Sequence, residues 1–288
     1  MAVFDGKALA MLIKSQVAEE VKKLNKKLKL AVILVGQNPA SELYVRNKEK
    51  ACSDVGIDFE LIRFAEICKQ ADVVKKIKEL NRKPEVSAIL VQLPLPKHLN
   101  EREIIDTISP DKDVDCLTQA NFGKLALGLS DFAPCTAAGV LEILKASQIA
   151  IQGKRVAVVG RSALVGLPTA HLLTKNNATV ALCHSKTQKL KKITKKADIL
   201  VVAIGKPKFI TKKYVKKHAV VIDVGINKVD GKICGDVDFE KVKKKAHLIT
   251  PVPGGVGQIT VSMLLKNILL LNLEKKWKIP LYFQLKCI

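Results

Sequence analysis

The sequence predicts an α/β protein built as two domains, each a parallel sheet covered by helices. Short, valine-rich apolar runs recur along the chain, among them Ala31 to Val35, Val86 to Val91 and Val156 to Val159. Such runs read as strands buried on both faces. Between them lie longer stretches with apolar residues at helical spacing, and strands alternating with helices imply a parallel sheet. The length of 288 residues exceeds one typical domain and suits two.

Lys7 to Leu24 opens the chain as a helix, with Leu9, Leu12, Ile13, Val17, Val21 and Leu24 on one face. After the strand Ala31 to Val35, Gly36-Gln37-Asn38-Pro39 starts a second helix. Asn38 is a natural cap, and Pro39 fits the first turn, where an N–H has no intrahelical partner. That helix carries Tyr44 and Lys48, four apart and therefore on one face. Ile57 to Phe64 alternates like a half-buried strand, Ala71 to Leu80 is amphipathic, and Val86 to Val91 is another buried strand. Gln92-Leu93-Pro94-Leu95-Pro96 ends it, because neither proline can donate to a ladder. Ligands of open parallel sheets sit beyond the carboxyl ends of strands, where Gln92 stands. A short helix, Glu101 to Ile108, leads into Ser109-Pro110-Asp111-Lys112-Asp113-Val114-Asp115-Cys116, whose own composition suits a solvated turn as well as a site. It lacks calcium-loop spacing. A helix from Pro134-Cys135-Thr136 to Ala146 bridges to the second domain. The expected division is residues 1–137 and 138–261, with a closing helix, 262–288, packed back on the first domain.

In the second half, the strand Val156 to Val159 runs into Gly160-Arg161-Ser162, then Gly166 and an apolar helical segment from Leu167 to Leu173. Strand, glycine turn and helix bring backbone N–H groups and a positive helix end towards a phosphate. An ordinary tight turn has the same look, and the spacing is not that of the G-x-G-x-x-G fingerprint. The next strand, Thr179 to Cys183, ends in His184-Ser185-Lys186-Thr187. An NAD site places a carboxylate there for the ribose hydroxyl. Arg161, Ser185 and Lys186 instead offer donors and positive charge, which favours a ribose 2′-phosphate and hence NADP. Strands from Asp198 to Ala203 and from Ala219 to Asp223 stop at Gly205 and at Val224-Gly225-Ile226. The run Thr250-Pro251-Val252-Pro253-Gly254-Gly255-Val256-Gly257-Gln258-Ile259-Thr260 reads as a loop able to approach a ligand closely, with the closing helix starting at Val261.

The formal charge is +22, with only 4% aromatic residues and no nucleic-acid-binding motif, so the lysines read as a solvated surface. Seven scattered cysteines without a C-x-x-C pair signal neither a disulfide framework nor a metal site, and suit reduced thiols in the cytoplasm. Asp5, Lys7 and Lys14 interrupt the N-terminal apolar stretch, which does not read as a signal peptide. Val261 to Leu273, broken by Lys266 and Asn267, is too short to span a bilayer. Neither a nucleic acid nor a membrane is an expected partner.

Taken together, Ser41-x-x-Tyr44-Val45-x-x-Lys48, Val91-Gln92-Leu93-Pro94-Leu95-Pro96, Lys112-Asp113-Val114-Asp115, Pro134-Cys135-Thr136, Gly160-Arg161-Ser162 with Val165-Gly166-x-Pro168, His184-Ser185-x-Thr187, Asp223-Val224-Gly225-Ile226-Asn227 and Pro251-Val252-Pro253-Gly254-Gly255-Val256-Gly257 resemble one family. It is that of the bifunctional methylenetetrahydrofolate dehydrogenase/methenyltetrahydrofolate cyclohydrolases. The resemblance implies a Rossmann-like NADP-binding second domain, folate in the cleft between the domains, and a homodimer. It also implies oxidation of 5,10-methylene-tetrahydrofolate to the methenyl cation, followed by hydrolysis to 10-formyl-tetrahydrofolate. Folates often carry an acidic polyglutamate tail, which a positive field would steer. The residues implied as catalytic are Lys48, Gln92 and Asp115. Tyr44, Val91, Leu93, Pro253, Gly254 and Gly255 would line the folate, and Thr136, Gly160, Arg161, Ser162, Ser185, Gly205 and Ile226 the NADP. A carboxylate at 115 can accept two N–H bonds from the pterin edge, and Tyr44 can stack on the aminobenzoyl ring. A cation beside Lys48 disfavours its ammonium form, so a neutral amine can handle the proton of the attacking water. Two positions depart from the family pattern: Cys116 stands where relatives carry glycine, and Gln258-Ile259 where they carry Pro-Met. A folate- or nucleotide-binding relative without activity, or another two-domain NADP dehydrogenase acting on amino acids or shikimate, would share parts of this pattern.

Overall fold

The computed structural model describes residues 2–130 and 132–273. In chain order its elements are β1 (Ala2–Val3), α1 (Gly6–Lys23), β2 (Lys29–Val35), α2 (Pro39–Asp54), β3 (Asp58–Phe64), α3 (Gln70–Arg82), β4 (Ala88–Val91), α4 (Glu101–Asp106) and α5 (Gln119–Ala126). There follow α6 (Cys135–Ala146), β5 (Arg155–Val159), α7 (Gly166–Lys175), β6 (Thr179–Cys183), α8 (Leu190–Thr194), β7 (Ile199–Val202) and β8 (Val220–Asp223). The last elements are β9 (Asn227–Val229), β10 (Lys232–Cys234), α9 (Phe239–Lys243), β11 (Leu248–Ile249) and α10 (Val256–Asn272). They group into two units. One runs Leu12–Phe132 and resumes at Leu264; the other joins the N-terminus, as far as Met11, to Ala133–Met263.

In the Leu12–Phe132 unit, β2 is the middle strand of a parallel sheet of order β3-β2-β4. From Leu30 onward β2 is buried, as is all of β4, which is why both read as unbroken apolar runs. Val73, Ile77 and Leu80 lie four and three apart on α3 and are fully buried, sharing a core with Ile33, Ile89 and Ile104. Each such side chain contributes about 1.5–3 kcal/mol by leaving water, so a charge at Ile77 would unseat the helix. Beyond β4 the chain returns along its free edge. The Ile89 N–H donates to the Lys112 carbonyl at 2.7 Å, and Ile89 bridges to Asp113. The acidic loop therefore runs beside a buried strand. The Asn267 side chain on α10 donates to the Val114 carbonyl at 2.9 Å.

The other unit holds a six-stranded parallel sheet of order β1-β11-β8-β7-β5-β6. Counted from β5, its last five strands follow the doubly wound order 2-1-3-4-5, in which the direction of winding reverses between β5 and β7. These two strands pair in register from Val156↔Ile199 to Val159↔Val202. Ala157, Val159, Leu200, Val202, Val221 and Ile249 form the core on one side of the sheet.

Several features differ from the sequence reading, which also placed no element at α5, α8, α9 or β11. The first residues join the second sheet, because the Ala2 and Phe4 N–H groups donate to the His247 and Ile249 carbonyls. The unit boundary thus falls within α1, and an edge strand of two residues has too little periodicity to be legible. The final helix starts at Val256 and not Val261, since the chain turns helical directly after Gly255. Residues 274–288 of the expected closing helix lie outside the described residues. The hairpin β9–β10 was also missed, although its turn, Asp230-Gly231, is a strong hairpin signal.

Candidate functional site

The residues singled out in the sequence fall into two main groups, one in each unit. The first depends on how α2 begins. The Asn38 side chain accepts from the N–H groups of Ala40 at 2.9 Å and Ser41 at 3.2 Å, and Pro39 supplies the first turn. Buried Ser41, Val45, Ala51 and Cys52 seat the helix, so Tyr44 and Lys48 project half-buried from one face. Burial pushes the Tyr44 phenol and the Cys52 thiol up, the latter to about 12. Gln92 arrives from the end of β4, tied by its N–H to the Ile33 carbonyl of β2 at 2.9 Å. The Lys48 ammonium donates to Gln92 Oε1 at 2.8 Å, and Gln92 Nε2 donates to the Leu93 carbonyl at 2.8 Å. Gln92 is 9% exposed. Its amide can hardly turn, because turning would cost both bonds. The Lys48 nitrogen is thereby held at the carboxyl end of β4.

The acidic loop separates into different roles. Asp113, 1% exposed, accepts from the Leu117 and Thr118 N–H groups, the Thr118 hydroxyl and the Asn121 amide at 2.8–3.1 Å. Burial pushes its carboxyl up against the opposing pull of those donors. Lys112 donates to the Leu80 and Lys83 carbonyls. Asp115, two residues on and only half-buried, takes none of these donors. The loop is thus built around Asp113 and presents Asp115. Cys116 follows at φ 56°, in the left-handed region that favours glycine. Its thiol is buried, lies 3.4 Å from the Phe132 carbonyl, and is pushed up by burial.

The second group surrounds the carboxyl ends of β5 and β7. Gly160 has φ 122°, and a Cβ there would lie 2.1 Å from the Ala203 carbonyl oxygen; a Cβ on Gly166 would lie 2.0 Å from the Gly160 oxygen. Only glycine lets these three backbones meet, at the point where a doubly wound sheet binds its ligand. Arg161 and Ser162 are exposed on the turn that follows, and the Ser162 hydroxyl accepts from the Val165 N–H at 3.3 Å. Ser185 and Lys186 are exposed beyond β6, in a turn closed by the His184 N–H to the Thr187 hydroxyl at 2.8 Å. Gly205 follows β7 at φ 61° with open space where a side chain would be, and Ile226 follows β8, 47% exposed. A glycine cradle with adjoining cationic and hydroxyl donors fits a phosphorylated dinucleotide.

Thr136, on α6, lies 3.3 Å from the Thr260 hydroxyl of α10. Pro253, Gly254 and Gly255 belong to this same unit, where Gly6 packs against the Gly254 and Gly255 carbonyls with no room for a Cβ. The expected folate residues are therefore divided between the units. Gln258 stands in the first turn of α10, exposed, with its N–H 3.2 Å from the Gly255 carbonyl. A proline in this position would lack that N–H, so glutamine keeps a bond that proline would lose. Ile259 is fully buried against Gly139. Among the described residues, no group of three or more His, Cys, Asp or Glu side chains is placed to hold a metal ion.

Two family models match the chain: the catalytic domain of tetrahydrofolate dehydrogenase/cyclohydrolase over residues 4–115, and the NAD(P)-binding domain of the same enzymes over residues 134–276. The chain is 50% identical over 269 residues to the bifunctional protein FolD of Bacillus subtilis, covering 92% of this chain and 95% of that one. The crystal structure of the Campylobacter jejuni bifunctional FolD enzyme superposes with a TM-score of 0.92 at 44% identity, covering 94% of this chain and 98% of its own. The Trypanosoma brucei enzyme, crystallised with NADP cofactor and an inhibitor, gives 0.90 at 39%, covering 94% and 96%.

Proposed function

The chain belongs to the tetrahydrofolate dehydrogenase/cyclohydrolase family, and from that membership we propose how its residues divide the two reactions. The protein is a bifunctional, NADP-dependent enzyme that oxidises 5,10-methylene-tetrahydrofolate to the methenyl form and hydrolyses that product to 10-formyl-tetrahydrofolate. NADP supplies the hydride acceptor; the protein's part in that step is to align the two ring systems. The Gly160–Gly166 cradle, with Arg161, Ser162 and Ser185, would hold its phosphates, and Thr136, Gly205 and Ile226 would line it.

The observation that carries the hydrolytic role is the 2.8 Å bond from Lys48 to Gln92. It holds one nitrogen at a strand end, on a helix face shared with Tyr44. There a neutral Lys48 accepts a proton from the water that adds to the one-carbon bridge and returns it to the ring nitrogen that leaves. Gln92 positions the amine. Asp115 accepts from the pterin edge, Tyr44 stacks on the aminobenzoyl ring, and Val91 and Leu93 complete the folate contacts of this unit. A polyglutamylated substrate, a homodimer and a cytoplasmic setting belong to the same proposal. The +22 charge supports the first, and free thiols at all six described cysteines support the last. Methylene-tetrahydrofolate and NADP are mixed with the purified protein, and methenyl absorbance is followed. A rise and then a decay faster than the solvent reaction is expected, and a rise without enzymatic decay would remove the hydrolytic role.

A further inference from the structure

A buried carboxylate behind the β7 loop has no part in the chemistry above. Asp236 is fully buried. Its Oδ2 accepts from the Ile204 N–H at 2.7 Å and the Gly205 N–H at 3.0 Å; its Oδ1 accepts from the Lys206 N–H at 2.7 Å and the Asn227 amide at 2.9 Å. Three consecutive backbone donors of one loop thus converge on a single side chain. Asp236 is itself pinned by a second buried carboxylate. Asp223 Oδ1 accepts from the Asp236 N–H at 3.0 Å and the Gly225 N–H at 3.1 Å, and its Oδ2 from the Val237 N–H at 2.9 Å. The packing leaves no slack. A Cβ on Gly225 would lie 2.4 Å from Asp236 Oδ1, and one on Gly235 would lie 1.9 Å from Asp223 Oδ2.

A buried charge is costly unless donors surround it, and neutral residues could fill the same volume without that cost. What a carboxylate supplies here is an acceptor strong enough to turn three successive N–H groups away from solvent. That choice fixes the loop just past Ala203, whose carbonyl faces Gly160, and through Asn227 it fixes the residue after Ile226. With its N–H groups committed inward, the loop keeps only carbonyls and side chains for a ligand. It is therefore shaped for hydroxyl or amide donors of a nucleotide, and the phosphates fall to the turn at Gly160.

We propose that Asp236 is a positioning residue for NADP: it sets the conformation of the 204–206 loop and of the Ile226 turn against which the cofactor lies. This rests on the assignment of Gly205 and Ile226 to the cofactor site. The bifunctional enzyme supplies its own control, since methenyl hydrolysis uses no nicotinamide. In the full-length protein, Asp236→Asn turns an amide N–H towards the loop donors, and Asn227→Ala removes one of the four donors more gently. Binding of NADPH is measured by fluorescence titration, beside both steady-state activities. Asp236→Asn should raise the NADPH Kd and the KM for NADP at least tenfold, and Asn227→Ala about threefold. Oxidation at saturating NADP and methenyl hydrolysis should stay within threefold of wild type. Unchanged NADPH affinity in both variants, or parallel losses of hydrolysis and binding in both, would overturn the proposal. Gly205→Asn tests the underlying assignment separately. Asparagine tolerates positive φ, and its side chain would enter the open space before the loop. If it leaves the Kd unchanged, the loop does not line the cofactor; if it weakens binding while the Asp236 and Asn227 variants do not, the role of Asp236 alone is refuted.

Discussion

Replacing Lys48 by methionine should separate the two activities. Methionine keeps roughly the length of the side chain and removes its nitrogen. Part of the structural cost follows from the bond to Gln92: its Oε1, on a residue 9% exposed, gives up a charged donor at 2.8 Å. An unsatisfied buried acceptor costs about 1–3 kcal/mol. The other bond of Gln92, donated by Nε2 to the Leu93 carbonyl, persists and keeps the amide in place. A loss of about 1 kcal/mol lowers Tm by about 2–4 °C in a protein of this size class. The catalytic cost is larger. General acid–base catalysis is worth about 10²–10⁴-fold, or roughly 3–5.5 kcal/mol. Hydrolysis should therefore fall by two to four orders of magnitude, towards the solvent rate. Methylene oxidation should be reduced but measurable, because hydride transfer needs alignment and no proton-transferring group. Both rates are measured on one purified variant, with folate affinity and Tm determined separately. Hydrolysis within tenfold of wild type, with binding and folding intact, would show that another group handles the proton.

The enzyme should prefer NADP to NAD in kcat/KM, because Arg161, Ser185 and Lys186 stand exposed where an NAD site needs a carboxylate; replacing Arg161 and Ser185 together by alanine should narrow the gap through the NADP value, and equal values in the wild type would overturn this. Cys116→Gly should leave both turnovers within a few-fold, since it relieves about 1 kcal/mol of backbone strain at φ 56° while emptying a small buried volume; a hundredfold loss would mean that the thiol has a role of its own. Asp223 should make stability fall as pH rises from about 4 to about 7. Burial, aided by the Asp236 charge and opposed by three backbone donors, raises its carboxyl from 3.8 to about 7, so in that window the folded state retains a proton the unfolded chain has lost. Urea unfolding at pH 5 and pH 8 should show the wild type losing on the order of a few kcal/mol relative to Asp223→Asn, and a pH-independent difference between the two would refute the shift.

Local chemistry made much of this protein legible from its residues. Asn38-Pro39 starts α2 because a side-chain acceptor and a missing N–H both suit a helix end, whatever packs around them. Val73, Ile77 and Leu80 mark the buried face of α3 through spacing alone, and the valine runs of β2, β4 and β5 mark strands covered on both sides. Motifs anchored to such elements, including Tyr44 and Lys48 on a helix face and Gly160 at a strand end, carried the family and the reaction. Other features exist only once distant segments meet. β1 is a strand because β11, more than two hundred residues later, offers it carbonyls. Asp113 and Asp115 look alike in the chain, and only the donors of Thr118 and Asn121 make one a scaffold and leave the other to be presented. Asp236 sits in a short link between β10 and α9, and its meaning depends on three N–H groups some thirty residues earlier. Periodicity records which side of an element faces water, a property of neighbours in the chain. Which carboxylate meets which N–H is decided by how the strands are ordered in the sheet, because that order sets which loops emerge side by side at its carboxyl edge.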